Sequence, residues 1–155
     1  MKTFSLVGRS AVCGLLLIVA TMVAGPVRAA AATLGVSLHL TNASKIAHLA
    51  AGDSVGIAPA VLKVHVGDTI VFTNDDPKDH HTATGLEGAQ RFSEPRWSDA
   101  MLKPVGTIGA NPWSTGDLAP GARSAPMTAT TPGLFLYGCF FHYSAGMRGE
   151  IIVEP

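Results

Sequence analysis

Three side chains that bind soft metal ions lie close together near the end of the sequence. The stretch GLFLYGCFFHYSAGMRGE places Cys139, His142 and Met147 in the spacing Cys-x-x-His-x-x-x-x-Met. Cysteine and methionine also serve as ordinary packing residues, so this stretch needs support from elsewhere in the chain. Support comes from DDPKDHHTATG, far upstream, where His80 and His81 stand next to each other.

A thiolate, two imidazoles and a thioether define one kind of coordination chemistry. Thiolate and thioether are soft ligands, and two histidines with one cysteine and a weakly bound axial methionine make up the type 1, or blue, copper site. The loop from Cys139 to Met147 offers three of these ligands, and His80 or His81 offers the fourth. The sequence therefore predicts one copper ion per chain, bound by two distant segments.

The first 29 residues have the layout of a secretory signal peptide. Lys2 and Arg9 precede an apolar run at 11–24, and small residues at 29–32 offer cleavage sites. The apolar run is shorter than the roughly 20 residues that span a bilayer. We expect a leader at 1–29, a single exported domain at 33–155 in the periplasm or another lumenal compartment, and no stable membrane insertion.

Removal of the leader changes the cysteine count and the charge. Cys13 is lost, and Cys139 is left without a disulfide partner in an oxidising compartment. An inert buried thiol and a metal-bound thiolate are the two explanations. Without Lys2, Arg9 and Arg28 the chain has 8 basic and 11 acidic residues, a net charge of −3. This charge argues against a nucleic-acid partner.

Short β-branched runs separated by glycine and proline turns predict an all-β fold, an antiparallel sandwich or barrel. The expected strands are 32–40, 62–66, 70–74, 122–128, 133–139 and 147–154. A Gly67-Asp68 turn separates the second strand from the third. Residues 86–118 show little alternation and predict a long excursion with one short helix at 98–103.

The order of these segments resembles that of the plastocyanin-type small blue copper proteins, the cupredoxins. The resemblance rests on PAVLKVHVGDTIVFTNDDPKDHHTATG, WSTGDLAPG and TTPGLFLYGCFFHYSAGMRGEIIVE. It implies a Greek-key β-sandwich of about eight strands, with a long excursion between the first histidine ligand and the cysteine ligand. It also implies a type 1 copper bound by a histidine, Cys139, His142 and Met147. The sequence departs from the family at Phe141, where proline is usual.

Two observations favour His81 over His80 as the first ligand. Thr82 follows His81 and matches the family's pair whose second side chain ties the ligand loops together. Alternation also puts His81 with Ala83 on an inward apolar face, and His80 with Thr82 and Thr84 on a polar face. The spacing that is commonest in the family favours His80 instead, so His80 remains the alternative.

The resemblance implies an electron carrier and not an enzyme. Four protein ligands leave no open position for a substrate, which a catalytic metal needs. By resemblance, His142 reaches the surface in an apolar patch whose candidate residues are Phe140, Phe141 and Tyr143. We expect a monomer to which larger redox proteins dock transiently near His142. Storage or delivery of copper by the same residues is the alternative function.

An acidic loop precedes the histidine pair. Asp75, Asp76 and Asp79 form either a docking patch for a partner or a solvated loop, and the solvated loop is favoured. His39 and His65 alternate with apolar residues in predicted strands, and we expect both to be exposed.

Overall fold

The computed structural model describes residues 30–40, 55–86 and 95–155. The predicted leader at 1–29 lies outside the described residues. Within the described part, the chain forms two β-sheets with one short 3-10 helix. No helix of that part is long and apolar enough to cross a membrane.

Ten strands are present in the described residues, and half of them are only two residues long. They are β1 (Thr33–Leu38), β2 (Ile57–Ala58), β3 (Val61–His65), β4 (Thr69–Asn74), β5 (Thr84–Gly85), β6 (Pro104–Val105), β7 (Ser114–Thr115), β8 (Met127–Thr128), β9 (Gly133–Gly138) and β10 (Arg148–Glu154). One sheet has the order β2-β1-β4-β8, and the other has the order β3-β10-β9-β5-β7-β6. The predicted all-β sandwich is confirmed, and five of the six predicted strands lie within two residues of their observed bounds. The prediction of a strand at 122–128 is wrong for its first five residues, because only Met127–Thr128 forms a strand.

Both sheets contain one parallel pair of strands. Thr33 of β1 lies opposite Thr69 of β4, and Val61 of β3 lies opposite Glu150 of β10. The purely antiparallel expectation is wrong for these pairs. Alternation determines which face of a strand is buried, but it does not determine which strand becomes the neighbour. The strands on either side of the Gly67-Asp68 turn, β3 and β4, lie in different sheets.

The hydrophobic core lies between the sheets. In β3, Leu62 and Val64 are buried, and the residues that alternate with them are exposed. Phe72 of β4 meets Tyr137 of β9 edge to face, with ring centroids 5.6 Å apart, across the space between the sheets. Such aromatic contacts add about 0.5–1.5 kcal/mol beyond burial of area. His39 and His65 are exposed, as predicted.

The predicted excursion is partly built into the second sheet. Its described residues, 95–118, contain a 3-10 helix at Asp99–Leu102, close to the predicted short helix. They also contain β6 and β7, which the sequence analysis missed because two residues are too few to show alternation. Ser114 of β7 lies opposite Thr84 of β5, so the excursion borders the segment that carries His81.

Candidate metal centre

Strand pairing brings the two ligand-bearing segments together. Thr84 of β5 lies opposite Gly138, the last residue of β9. His81 lies three residues before Thr84, and Cys139 follows Gly138 directly. The ladder between β5 and β9 therefore places His81 beside the start of the loop at 139–147.

That loop is closed by its own backbone hydrogen bonds. The amide of Cys139 donates to the carbonyl of Met147 over 3.0 Å, and the amide of Met147 donates to the carbonyl of His142 over 3.3 Å. Gly146, at a φ of +87°, takes the left-handed conformation that the turn before Met147 requires. Cys139 and Met147 are consequently both fully buried at the base of the loop.

Three atoms of ligand type converge at this place. The Sγ atom of Cys139 lies 3.6 Å from Nδ1 of His81 and 3.7 Å from Nδ1 of His142. The three side chains can each offer one ligand atom within 4.8 Å of the others. One thiolate with two imidazoles is a donor set that suits copper, and the buried thioether of Met147 adds a second soft group nearby.

The two adjacent histidines, His80 and His81, differ in burial and in the residues that they contact. His81 is fully buried and belongs to the cluster. The side chain of His80 is 51% exposed, and its Nδ1 lies 2.9 Å from a carboxylate oxygen of Asp117. The geometry thus brings His81, and not His80, to the other candidate ligands. Which histidine binds a metal stays a prediction.

Thr82 joins the two ligand-bearing segments. Its hydroxyl accepts a hydrogen bond from the amide of Phe140 over 2.9 Å, and its amide donates to Cys139 Sγ over 3.4 Å. The expected tie between the loops is confirmed. The polar, outward face predicted for Thr82 and Thr84 is wrong, because both are fully buried and their hydroxyls lie 2.8 Å apart. Thr84 continues the chain of hydroxyls to Ser114 over 3.0 Å.

The environment of Cys139 keeps the metal-free thiol protonated. Burial raises its pKa, although hydrogen bonds from the backbone amides of Thr82, Phe141 and His142 act in the opposite direction. A bound metal ion would displace this proton, since the thiolate is the form that coordinates. Cys139 has no disulfide partner among the described residues.

Asp76 is a buried contact of His81 that was not predicted from the sequence. Its Oδ2 atom lies 3.3 Å from Nε2 of His81, and its side chain is only 4% exposed. Burial opposes ionisation of Asp76, but hydrogen bonds from the Lys78 amide, His81 and the Leu40 amide hold its pKa below the ordinary value. The docking-patch and solvated-loop interpretations are both wrong for Asp76, whereas Asp75 is exposed.

A local signal for this burial exists in the sequence. Asn74 ends β4, and its side-chain oxygen accepts a hydrogen bond from the amide of Asp76 over 2.9 Å. Asn and Asp favour such side-chain to backbone turns. The pair Asn74 and Asp76 therefore indicates a turn that directs the Asp76 carboxylate toward the protein interior. A count of acidic residues does not reveal this turn.

Several aromatic side chains lie in or against the loop that carries the partly exposed His142. Phe141 is 41% exposed, and its ring centroid lies 6.3 Å from that of His142. Phe140 stacks on Trp97 with centroids 6.1 Å apart. Tyr143 is buried, so the predicted patch is wrong for this residue. Trp97 was missed because its segment has no strand or helix periodicity.

Solved structures share this arrangement of strands. An auracyanin from Roseiflexus castenholzii superposes with a TM-score of 0.51 at 21% identity, covering 79% of this chain and 97% of its own. A purple cupredoxin from Nitrosopumilus maritimus gives a TM-score of 0.51 at 19% identity, with 78% and 99% covered. The chain has the cupredoxin fold. Auracyanin B supports this at 22% identity and a TM-score of 0.50, with 81% and 90% covered.

The sequence itself matches no protein-family profile and no curated protein. The predicted cupredoxin-like Greek-key sandwich is confirmed by the two sheets and by the structural likeness. In this cupredoxin fold, the convergence of His81, Cys139 and His142 is an observation about this chain. The assignment of these residues and Met147 as copper ligands stays a prediction.

Proposed function

We propose that this chain is a type 1 copper protein that carries single electrons between larger redox proteins. The observation that supports this best is the convergence of Cys139 Sγ with the Nδ1 atoms of His81 and His142. Bound copper supplies a one-electron couple between its two oxidation states. His81, Cys139, His142 and Met147 would hold the ion.

The protein around these residues is suited to rapid electron exchange. The loop at 139–147 is closed by backbone hydrogen bonds, and Thr82 fixes it to the segment before β5. Ligands that are held in place before the metal binds have little to rearrange when the charge of the metal changes. Four protein ligands also leave no open position for a substrate, so we propose a carrier and not an enzyme.

The proposed contact surface for partners is the exposed edge of the loop. His142 is partly exposed, and Phe141 beside it is the most exposed aromatic side chain of the described residues. A small apolar surface favours brief encounters, which a carrier needs because it must release each partner. We further propose that the protein is a monomer and that it is exported, the latter from the leader-like sequence at 1–29.

Visible spectroscopy and voltammetry of the purified, copper-loaded protein test this function. An electron carrier has an intense band at about 600 nm from charge transfer between thiolate and copper, and it gives a reversible one-electron voltammogram. A colourless complex that yields its copper readily to a chelator would reject the carrier in favour of storage or delivery.

Replacement of Cys139 by serine separates the metal site from the fold. We expect Cys139→Ser to lose the band at about 600 nm entirely, because the thiolate that produces the band is gone. The far-UV circular dichroism should stay unchanged, because the buried core depends on many apolar side chains and not on one thiol. A blue Cys139→Ser variant would rule out Cys139 as the ligand.

A further inference from the structure

His81 contacts a different chemical group at each of its two ring nitrogens. Nδ1 lies 3.6 Å from the sulfur of Cys139, and Nε2 lies 3.3 Å from a carboxylate oxygen of Asp76. His81 is fully buried and Asp76 is 4% exposed. The imidazole is therefore held between the candidate metal position and a buried carboxylate.

The other partners of Asp76 determine the direction of its hydrogen bond with His81. Oδ1 accepts from the amides of Lys78 and Asp79 over 3.0 and 3.1 Å, and Oδ2 accepts from the amide of Leu40 over 3.3 Å. A carboxyl group with donors on both oxygens acts as an acceptor, which is the role of the ionised form. Nε2 of His81 must then carry the hydrogen.

A neutral imidazole with its hydrogen on Nε2 has its lone pair on Nδ1. This is the nitrogen that faces Cys139. The carboxylate of Asp76 thus selects the tautomer in which His81 can coordinate a metal beside the thiolate. Carboxylates that contact a ligand histidine in this way also raise the basicity of the histidine.

We infer that Asp76 is a positioning residue of the copper site, which fixes the tautomer of His81 and places one buried negative charge on the side of the His81 ring away from Cys139. This inference rests on the proposed function, because it concerns the same site. A buried negative charge stabilises the more highly charged Cu(II) more than Cu(I), since little solvent screens it. Asp76 therefore lowers the reduction potential and tightens the binding of Cu(II).

The tautomer is tested on the metal-free protein, where no result depends on copper. A long-range proton–nitrogen NMR spectrum of the wild-type protein at pH 8 reports which ring nitrogen of His81 carries hydrogen. We expect hydrogen on Nε2 alone. A His81 ring with hydrogen on Nδ1, alone or together with Nε2, would overturn the inference.

The charge effect is tested by Asp76→Asn with Asp75→Asn as the matched control. Each variant removes one negative charge, and the two positions are adjacent, but only Asp75 is exposed. We expect Asp76→Asn to remain blue and to bind Cu(II) about 10–100-fold more weakly, as is usual when a supporting partner of a ligand histidine is lost. Weaker binding of Cu(II) alone raises the ratio of Cu(I) affinity to Cu(II) affinity. Each tenfold rise in this ratio raises the reduction potential by about 59 mV.

The outcomes separate this inference from the proposed function. A wild-type protein that is not blue rejects the copper carrier, whatever the variants do. A blue wild-type protein whose Asp76→Asn variant matches Asp75→Asn in potential and in Cu(II) affinity rejects the inference alone. If Asp76→Asn lowers the melting temperature but does not shift the potential, Asp76 has a structural role only. That result also rejects the inference.

Discussion

Strand β4 has an aspartate near each end, and the two carboxylates have similar backbone contacts. Asp68, before β4, accepts hydrogen bonds from the amides of Ala32 and His65, both over 2.8 Å. Asp76, after β4, accepts from the amides of Leu40 and Lys78 over 3.3 and 3.0 Å. Ala32 and Leu40 flank β1, the parallel neighbour of β4. The two aspartates therefore fasten both ends of the same strand pair.

The two ends differ in the histidine that each carboxylate contacts. The His65 side chain is 66% exposed and lies 3.9 Å from Asp68, whereas His81 is fully buried and lies 3.3 Å from Asp76. A pair whose histidine is exposed adds little, because water and salt screen the imidazole. The buried contact between Asp76 and His81 is not screened in this way. It can therefore determine which ring nitrogen of His81 carries hydrogen. We therefore expect substitutions near Asp76 to affect copper and stability, and those near Asp68 to affect stability alone.

The largest effect is expected from removal of the buried histidine. His81→Ala should lower the affinity for Cu(II) by more than about 100-fold, because it removes a proposed ligand and not merely a supporting group. His80→Ala, which changes an adjacent but exposed imidazole, should keep both colour and affinity. The measurement is a chelator competition followed through the visible band. A blue His81→Ala variant beside a colourless His80→Ala variant would reverse the assignment.

The features predicted from the sequence are those that depend on local patterning. Alternation predicted most of the long strands, and the spacing from Cys139 to Met147 predicted a loop that brings its candidate ligand residues together. The preference for His81 over His80 rested on Thr82 and on strand alternation, and it agrees with the burial of His81 beside Cys139. Which of the two histidines binds a metal stays a prediction. Each of these predictions depends on residues that are close in the sequence, so a single segment contains the whole signal.

The features that were not predicted depend on contacts between distant segments. The parallel pairing of β1 with β4 joins residues 36 positions apart, and its register is determined by the assembled core. Burial of Asp76 requires the amide of Leu40 as well as its own turn. Thr82 and Thr84 are polar by type, and the partner that allows their burial, Ser114, lies in the excursion. Composition cannot reveal such partners.

A smaller effect is expected from removal of the hydroxyl that joins the ligand segments. Thr82→Val keeps the shape but leaves the amide of Phe140 without its acceptor in a partly buried place. We expect a loss of about 1–3 kcal/mol in the free energy of unfolding, the usual cost of an unsatisfied buried group. Urea unfolding of the metal-free protein measures this loss.

The control for this variant is an exposed threonine at the start of the β1–β4 strand pair. Thr33 and Thr69 also share a hydrogen bond between hydroxyls, 2.9 Å long, but at an exposed place. Thr33→Val should change the free energy of unfolding by less than about 0.5 kcal/mol. Equal losses of stability for the two variants would mean that burial does not distinguish Thr82 from Thr33.

The smallest effect is expected from Asp68→Asn, and it should depend on pH. The backbone amides of His65 and Ala32 hold the pKa of Asp68 below its ordinary value of 3.8. A group whose pKa is lower in the folded protein stabilises the fold above the unfolded pKa, and this contribution disappears as the pH falls through the folded pKa. The wild-type protein should therefore be more stable than Asp68→Asn at pH 7, with the difference closing at pH values below 3.8. Urea unfolding at a series of pH values measures this difference in stability.

A difference in stability between the wild-type protein and Asp68→Asn that is constant with pH would exclude the carboxylate charge as its cause. A shift in reduction potential as large as that of Asp76→Asn would show that the Asp68 end of β4 also influences the proposed copper site.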